Sequence, residues 1–216
     1  WKFGDYYRSY NENDTHQYSD SGLYSIELYV IDDDNDNDTY TVQDGLLIAD
    51  AIVSSSFTEQ TNGWNTTHFN TLNDGIEAVP EDGILVILSG SYSNHNLSIN
   101  KSMSIYGINE GYDLGDTILD FGGVIFNGEE ELPLFSISDA DVVVRGISID
   151  QYAEGIKIIN GSLTVEDCVI TNCTTGLSAS NGDSILVENC DFKKNDKGVC
   201  ITQYDTGLIK EIKGMD

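Results

Sequence analysis

The chain has 216 residues, with 37 acidic against 10 basic side chains and a net charge of −27. A charge this negative repels phosphate backbones and anionic headgroups, so no nucleic-acid partner is expected and cations are the natural ones. Apolar residues make up 39%, below the roughly 45–50% of ordinary globular chains. Val, Ile, Leu, Tyr and Phe nevertheless recur in short, evenly spaced groups, which predicts a folded, strand-rich protein rather than a disordered one. No apolar run approaches the ~20 residues of a membrane-crossing helix, and no basic stretch followed by an apolar core opens the chain. No membrane insertion is therefore expected of this segment.

Residues 1–43 read as the second half of a small β-sandwich. Leu23, Tyr24, Ile26, Leu28 and Val30 nearly alternate, an acidic turn follows, and a second short strand runs from Thr39 to Val42. Trp1, Phe3, Gly4 and Asp5 spell W-x-F-G-D, and His16, Tyr18, Gly22 and Tyr24 spell H-x-Y-x-x-x-G-x-Y. The segment closely resembles a PKD domain, the immunoglobulin-like module of cell-surface proteins, whose first strands would precede Trp1. Half a sandwich leaves one inner face uncovered, so either the sequence is an excerpt of a longer chain or a neighbouring molecule supplies the lost strands. The excerpt is the reading we adopt.

The turn from Asp32 to Asp38 is the densest charge cluster in the chain. Oxygen-bearing side chains at alternate positions suit calcium, and Asp32, Asp34 and Asp36 are the candidate ligands of a weak site. It is no EF-hand, because Asn37 stands where that loop needs Gly and Gln43 where it needs Glu. The plainer reading is a solvated turn between strands.

Residues 44–62 are expected to be a linker, and residues 63–216 a cap helix followed by a solenoid. Phe69, Leu72, Ile76 and Val79 have the spacing of one short amphipathic helix. Strands then take over. Gly90 and Tyr92 form a G-x-Y turn, and Ile99, Lys101, Ser102, Ile105 and Gly107 form I-x-K-S-x-x-I-x-G. This stretch resembles the opening turns of pectin-lyase-like right-handed β-helices, including NosD-type repeat proteins. The resemblance implies a single-stranded right-handed parallel β-helix whose first coil is capped by the helix.

The repeat stands without that resemblance. Superposing the chain on itself aligns Phe135, Ile156, Leu177 and Val199; Val142, Leu163 and Ile185; Val144, Val165 and Val187; Ile147, Cys168 and Cys190; and Ile149, Ile170 and Phe192. The period is 21 residues, then 22, one coil of a parallel solenoid built from three short strands. Gly146, Asp167 and Asn189 share a column where a sharp bend needs a left-handed backbone, and Gly155, Gly176 and Gly198 form a second column of the turn ladder. The fold expected is therefore all-β: a partial PKD-like sandwich and a β-helix with one short N-terminal cap helix.

Few residues offer chemistry. Cys168 and Cys190 fall inside the solenoid, stacked one coil apart, where thiols behave as small apolar groups; the spacing also permits a disulfide without requiring one. Cys173 falls in a turn and Cys200 faces outward, and no C-x-x-C spacing suggests zinc. His16, His68 and His95 share no site. The β-helix resemblance raises a polysaccharide lyase or hydrolase, for which Arg145, stacked over Glu166 and Glu188, is the one base beside an acidic pair; the simpler reading is a surface charge ladder. N-glycosylation sequons occur at Asn13, Asn37, Asn65, Asn96, Asn100, Asn160 and Asn172. They point outward from the cell.

The expectation is an acidic, secreted or cell-surface structural glycoprotein, a self-assembling envelope, sheath or filament component without catalytic residues. It resembles archaeal surface, S-layer or sheath proteins in which PKD and β-helix modules alternate. Partners are copies of itself and surface glycans, with calcium the one candidate cofactor. Val143 and Leu186 are candidate contact positions. The alternative is a polysaccharide-degrading or glycan-binding β-helix protein, and a weaker third a NosD-like accessory protein for metal-site assembly.

Overall fold

A computed structural model describes residues 1–94, 96–109, 124–128, 131–209 and 212–213, with side chains to Thr202. His95 and the stretch 110–123 lie outside the described residues. The protein is nearly all β, with 55% strand and, among the described residues, one helix, and it divides into two units at Ala49 and Asp50.

In the first unit β1 (Gly22–Ile31) pairs antiparallel with β2 (Asn37–Ile48), with a bulge between Tyr24 and Ile26. Lys2 extends this sheet by antiparallel bridges to Glu27 on one side and Arg8 on the other. Among the described residues no second layer covers this sheet, and the alternation predicted for β1 does not become a buried face: its first seven residues are half-buried and Tyr29, Val30 and Ile31 are 46%, 50% and 58% exposed. Order comes instead from an aromatic stack. His16 stacks against both Phe3 and Tyr7, with ring centroids 4.6 and 4.7 Å away, and meets the edge of Tyr18. Its Nε2 is 2.6 Å from Asp5 Oδ2, and Tyr18 donates its hydroxyl to the Phe3 carbonyl at 2.8 Å. The two sequence motifs thus meet in one cluster.

The second unit is a parallel β-solenoid of about five turns. It begins with β3 (Ala51–Val53), β4 (His68–Phe69) and α1 (Leu72–Ala78). The first coil holds β5 (Gly83–Leu88), β6 (Gly90–Tyr92) and β7 (Leu97–Ile99); the second β8 (Met103–Ile108), β9 (Val124–Asn127) and β10 (Phe135–Ser138). The third holds β11 (Val142–Arg145), β12 (Ile147–Asp150) and β13 (Glu154–Ile159). Beyond it run β14 (Leu163–Glu166), β15 (Val169–Thr171), the long β16 (Thr175–Glu188), β17 (Cys190–Lys193), β18 (Lys197–Ile209) and β19 (Ile212–Lys213). β16 and β18 each turn a corner without leaving the ladder, so each serves two faces.

The register reproduces the predicted columns. Phe135 pairs with Ile156, Ile156 with Leu177 and Leu177 with Val199; Val142, Leu163 and Ile185 align, as do Val144, Val165 and Val187; Ile149, Ile170 and Phe192 close the third face. All these side chains but Val199 are at most 2% exposed, and the buried apolar cluster runs unbroken from Ala51 to Phe192.

Two boundaries differ from expectation. The stretch 44–62 contains the end of β2, and β3 belongs to the solenoid: its β-branched pair pairs with Val86 and Ile87 of β5, so the solenoid starts before residue 63. The predicted helix is α1. Thr71 caps it by accepting the Asp74 amide, Leu72 and Ile76 are buried, and Lys101 closes its other end by donating to the Glu77 and Val79 carbonyls. Gly75 lets it approach, since a Cβ there would lie 2.4 Å from Val53 Cγ2.

Candidate functional site

From Asp139 to Lys194 the corners of the solenoid fall at left-handed residues in three columns. Gly146, Asp167 and Asn189 have φ of 72°, 51° and 53°, the predicted column. Two further columns carry the other corners: Gln151, Asn172 and Lys194, and Asp139, Asn160 and Asn181, all with φ between 51° and 63°. Gly155, Gly176 and Gly198 do a different job. Each is the second residue of a strand segment, without positive φ. A Cβ on Gly155 would lie 2.5 Å from the Gly176 carbonyl oxygen, and one on Gly176 2.6 Å from that of Gly198. Space between coils, not backbone freedom, requires glycine there.

The corner at Gln151, Asn172 and Lys194 holds a residue that sequence reading passed over. Asn195, 9% exposed, accepts the Cys173 amide at 2.8 Å and donates to the Ile170 carbonyl at 2.9 Å. It pairs two backbone groups that the bend takes out of the ladder. An asparagine next to a turn column was its only signal. Tyr152, fully buried, reaches back to donate to the Asn94 carbonyl at 2.6 Å.

The acidic turn is exposed throughout. One oxygen of Asp32 accepts the amides of Asp34 at 3.0 Å and Asp36 at 2.9 Å, and Asn35 sits at φ 64°. The Asp32 carboxylate therefore closes the turn itself. Among the described residues no three His, Cys, Asp or Glu side chains are grouped to hold a metal ion, Asp32, Asp34 and Asp36 included.

On the solenoid surface Arg145, Glu166 and Glu188 form one outward column, as predicted. Arg145 Nε lies 2.8 Å from Asp167 Oδ2 and 3.8 Å from Glu166 Oε2. The guanidinium is thus engaged by two carboxylates rather than presented to an open cleft. Glu154 is similarly engaged, by Lys157 at 3.0 Å and the Ser178 hydroxyl at 2.5 Å. Val143 and Leu186 face outward in the neighbouring column, half-buried.

The sequon residues Asn13, Asn37, Asn65, Asn96, Asn100 and Asn172 are exposed and Asn160 is half-buried. The amides of Asn160 and Asn172 already donate to Asp139 and Asp150. Cys168, Cys173 and Cys190 are buried; burial pushes the Cys168 thiol well above its ordinary range and Cys173 up to about 11. His16 and His68 lie in separate units.

One groove stands out, in the first unit. It has a volume of about 800 Å³ and runs along β1 from Leu28 to Ile31, with Trp1, Tyr10 and Glu12 among its other walls. Both cations of residues 1–49, Lys2 and Arg8, line it. No family model, no curated protein and no solved structure matches the chain. What the fold defines is a class, the parallel β-solenoids, here with an antiparallel two-stranded sheet in a second unit. Among the described residues no helix is long and apolar enough to cross a membrane.

Proposed function

We propose that the chain is a structural element of a secreted or cell-surface assembly: a PKD-like module joined to a NosD-type right-handed β-helix, as in archaeal surface and sheath proteins, working as a stiff, acidic scaffold that associates with copies of itself. The observation that carries this reading is the uncovered half of β1. Tyr29, Val30 and Ile31 are exposed beside an open groove, and an exposed apolar strand is a template for pairing with another chain. A net charge of −27 keeps such a surface soluble until cations screen it, so calcium acts between molecules in this reading. The exposed sequons suit an extracellular address, and the engagement of Arg145 and Glu154 supports a non-catalytic role.

The test is electron microscopy of protein from its native source, with millimolar calcium and again after chelation. Filaments, tubes or sheets that disperse on chelation are expected. Dispersed single particles in both conditions would end the proposal. A second reading, glycan binding, is favoured by the rings of Trp1, Tyr10 and Tyr29 around the groove; it predicts a strict monomer that retains a defined glycan on an array.

A further inference from the structure

Cys168 and Cys190 stand one residue before the paired positions Val169 and Asp191 of β15 and β17, directly after the left-handed corners Asp167 and Asn189. They occupy consecutive places in a column that is otherwise aliphatic, Val124 and Ile147 preceding them. Their side chains are 1% and 0% exposed, one directly above the other in neighbouring coils. Adjacent strands lie about 4.8 Å apart, within the Cα separation of about 4.4–6.8 Å that a disulfide spans. The other cysteines have no such partner: Cys200 pairs in register with Ser178, and Cys173 lies at the corner held by Asn195.

We propose that Cys168 and Cys190 are a redox pair that closes to a disulfide joining two successive coils. The polar groups around them tolerate the change. Each thiol donates to a carbonyl two residues earlier, Cys168 to Glu166 at 3.1 Å and Cys190 to Glu188 at 3.2 Å. Those carbonyls also accept backbone amides, from Gly146 and Asp167 respectively, so losing the S–H hydrogens leaves neither orphaned. In the step itself both thiols give up their hydrogens and one S–S bond forms, while the S–S bond of a small-molecule disulfide such as oxidised glutathione breaks and leaves as two thiols. Both sulfurs are closed off from a disulfide reagent in the folded coil, so the exchange belongs to folding or to transient opening of the coil.

The test uses the unaltered full chain, incubated folded, and separately refolded, across mixtures of reduced and oxidised glutathione. It is then digested without reduction and mapped by mass spectrometry. A peptide pair linked through Cys168 and Cys190, lighter by two hydrogens, is expected. The closed ring should also raise Tm by on the order of 5 °C, reversed by a dithiol. A Cys168→Ala/Cys190→Ala chain should show no response of Tm to oxidant. Free thiols at both positions in the most oxidising mixture of both arms, or linkage through Cys173 or Cys200 instead, would overturn the proposal.

Discussion

Gly176→Ala separates two reasons for a glycine column. If Gly176 were there for its backbone freedom, alanine at its ordinary φ would be neutral or stabilising by about 0.4–1 kcal/mol, through a less flexible unfolded chain. The geometry predicts the reverse. The new methyl would lie 2.6 Å from the Gly198 carbonyl oxygen and 2.7 Å from Phe192 Cδ1, roughly an ångström inside van der Waals contact. The carbonyl belongs to the next coil's backbone, fixed by the ladder, so the strain cannot be shed by rotating one side chain. Overpacking of this kind costs about 1–3 kcal/mol, and a clash on two sides belongs at the upper end, so Tm should fall by on the order of 5–10 °C. Gly146, at φ 72°, is the control: Gly146→Asn should be nearly neutral, because Asp167 and Asn189 adopt that backbone in the same column. Urea and thermal unfolding of both variants decide the matter. A Gly176→Ala chain at least as stable as the parent would refute the close-approach argument.

The remaining expectations concern other parts of the molecule. Asn195→Ala leaves the Cys173 amide and the Ile170 carbonyl unpaired in a buried corner and should cost about 3 kcal/mol in denaturant unfolding; Asn195→Asp, which keeps only the acceptor, should not restore it. Tyr152→Phe removes the hydroxyl that serves the Asn94 carbonyl and should cost about 1 kcal/mol, read as a lower urea midpoint. In the first unit, burial alone would raise the Asp5 carboxyl, but hydrogen bonds from His16 and the Tyr7 amide outweigh it and hold Asp5 below the ordinary 3.8. A depressed carboxyl stabilises the fold above its unfolded value and loses that contribution as pH falls through the lower folded value. The near-ultraviolet signal of the aromatic stack should therefore fade in that acid range, and Asp5→Asn should lose the dependence. Val30→Lys, on the exposed half of β1, should abolish any polymer seen by light scattering while leaving Tm within about 1 °C, as for ordinary surface changes; polymers that persist would move the contact elsewhere.

The solenoid was legible because its physics is periodic. A coil buries its side chains only against its neighbours, so Val144, Val165 and Val187 must recur at one spacing, and self-comparison finds them. The corner at Gly146, Asp167 and Asn189 was visible because residues that tolerate a left-handed backbone recur there. The corner at Gln151, Asn172 and Lys194 was not: Gln and Lys carry no such preference, and their φ is imposed by the strands on either side. The glycines at 155, 176 and 198 repeat plainly, but a period cannot distinguish a bend from a close approach. β3 was missed because three residues are too few to show a pattern; its place is fixed by partners more than thirty residues later in the chain. In the acidic turn the carboxylates are legible in the sequence, but that Asp32 already accepts the amides of Asp34 and Asp36 is visible only in the structure.

The same geometry limits how such a scaffold could grow. A solenoid exposes unpaired backbone at the ends of its stack, and head-to-tail pairing would need the first coil open. Here that end carries β3, β4 and α1, with Leu72, Ile76 and Val79 buried and the last helical carbonyls taken by Lys101. Uncovering it would strip apolar side chains from the core, at about 0.8 kcal/mol for each buried methylene re-exposed, before any contact with another molecule formed. The exposed part of β1 requires no such removal, since Tyr29, Val30 and Ile31 already stand in solvent. On the proposed scaffold reading, association through the exposed part of β1 is therefore a cheaper route than extension coil upon coil from the capped end.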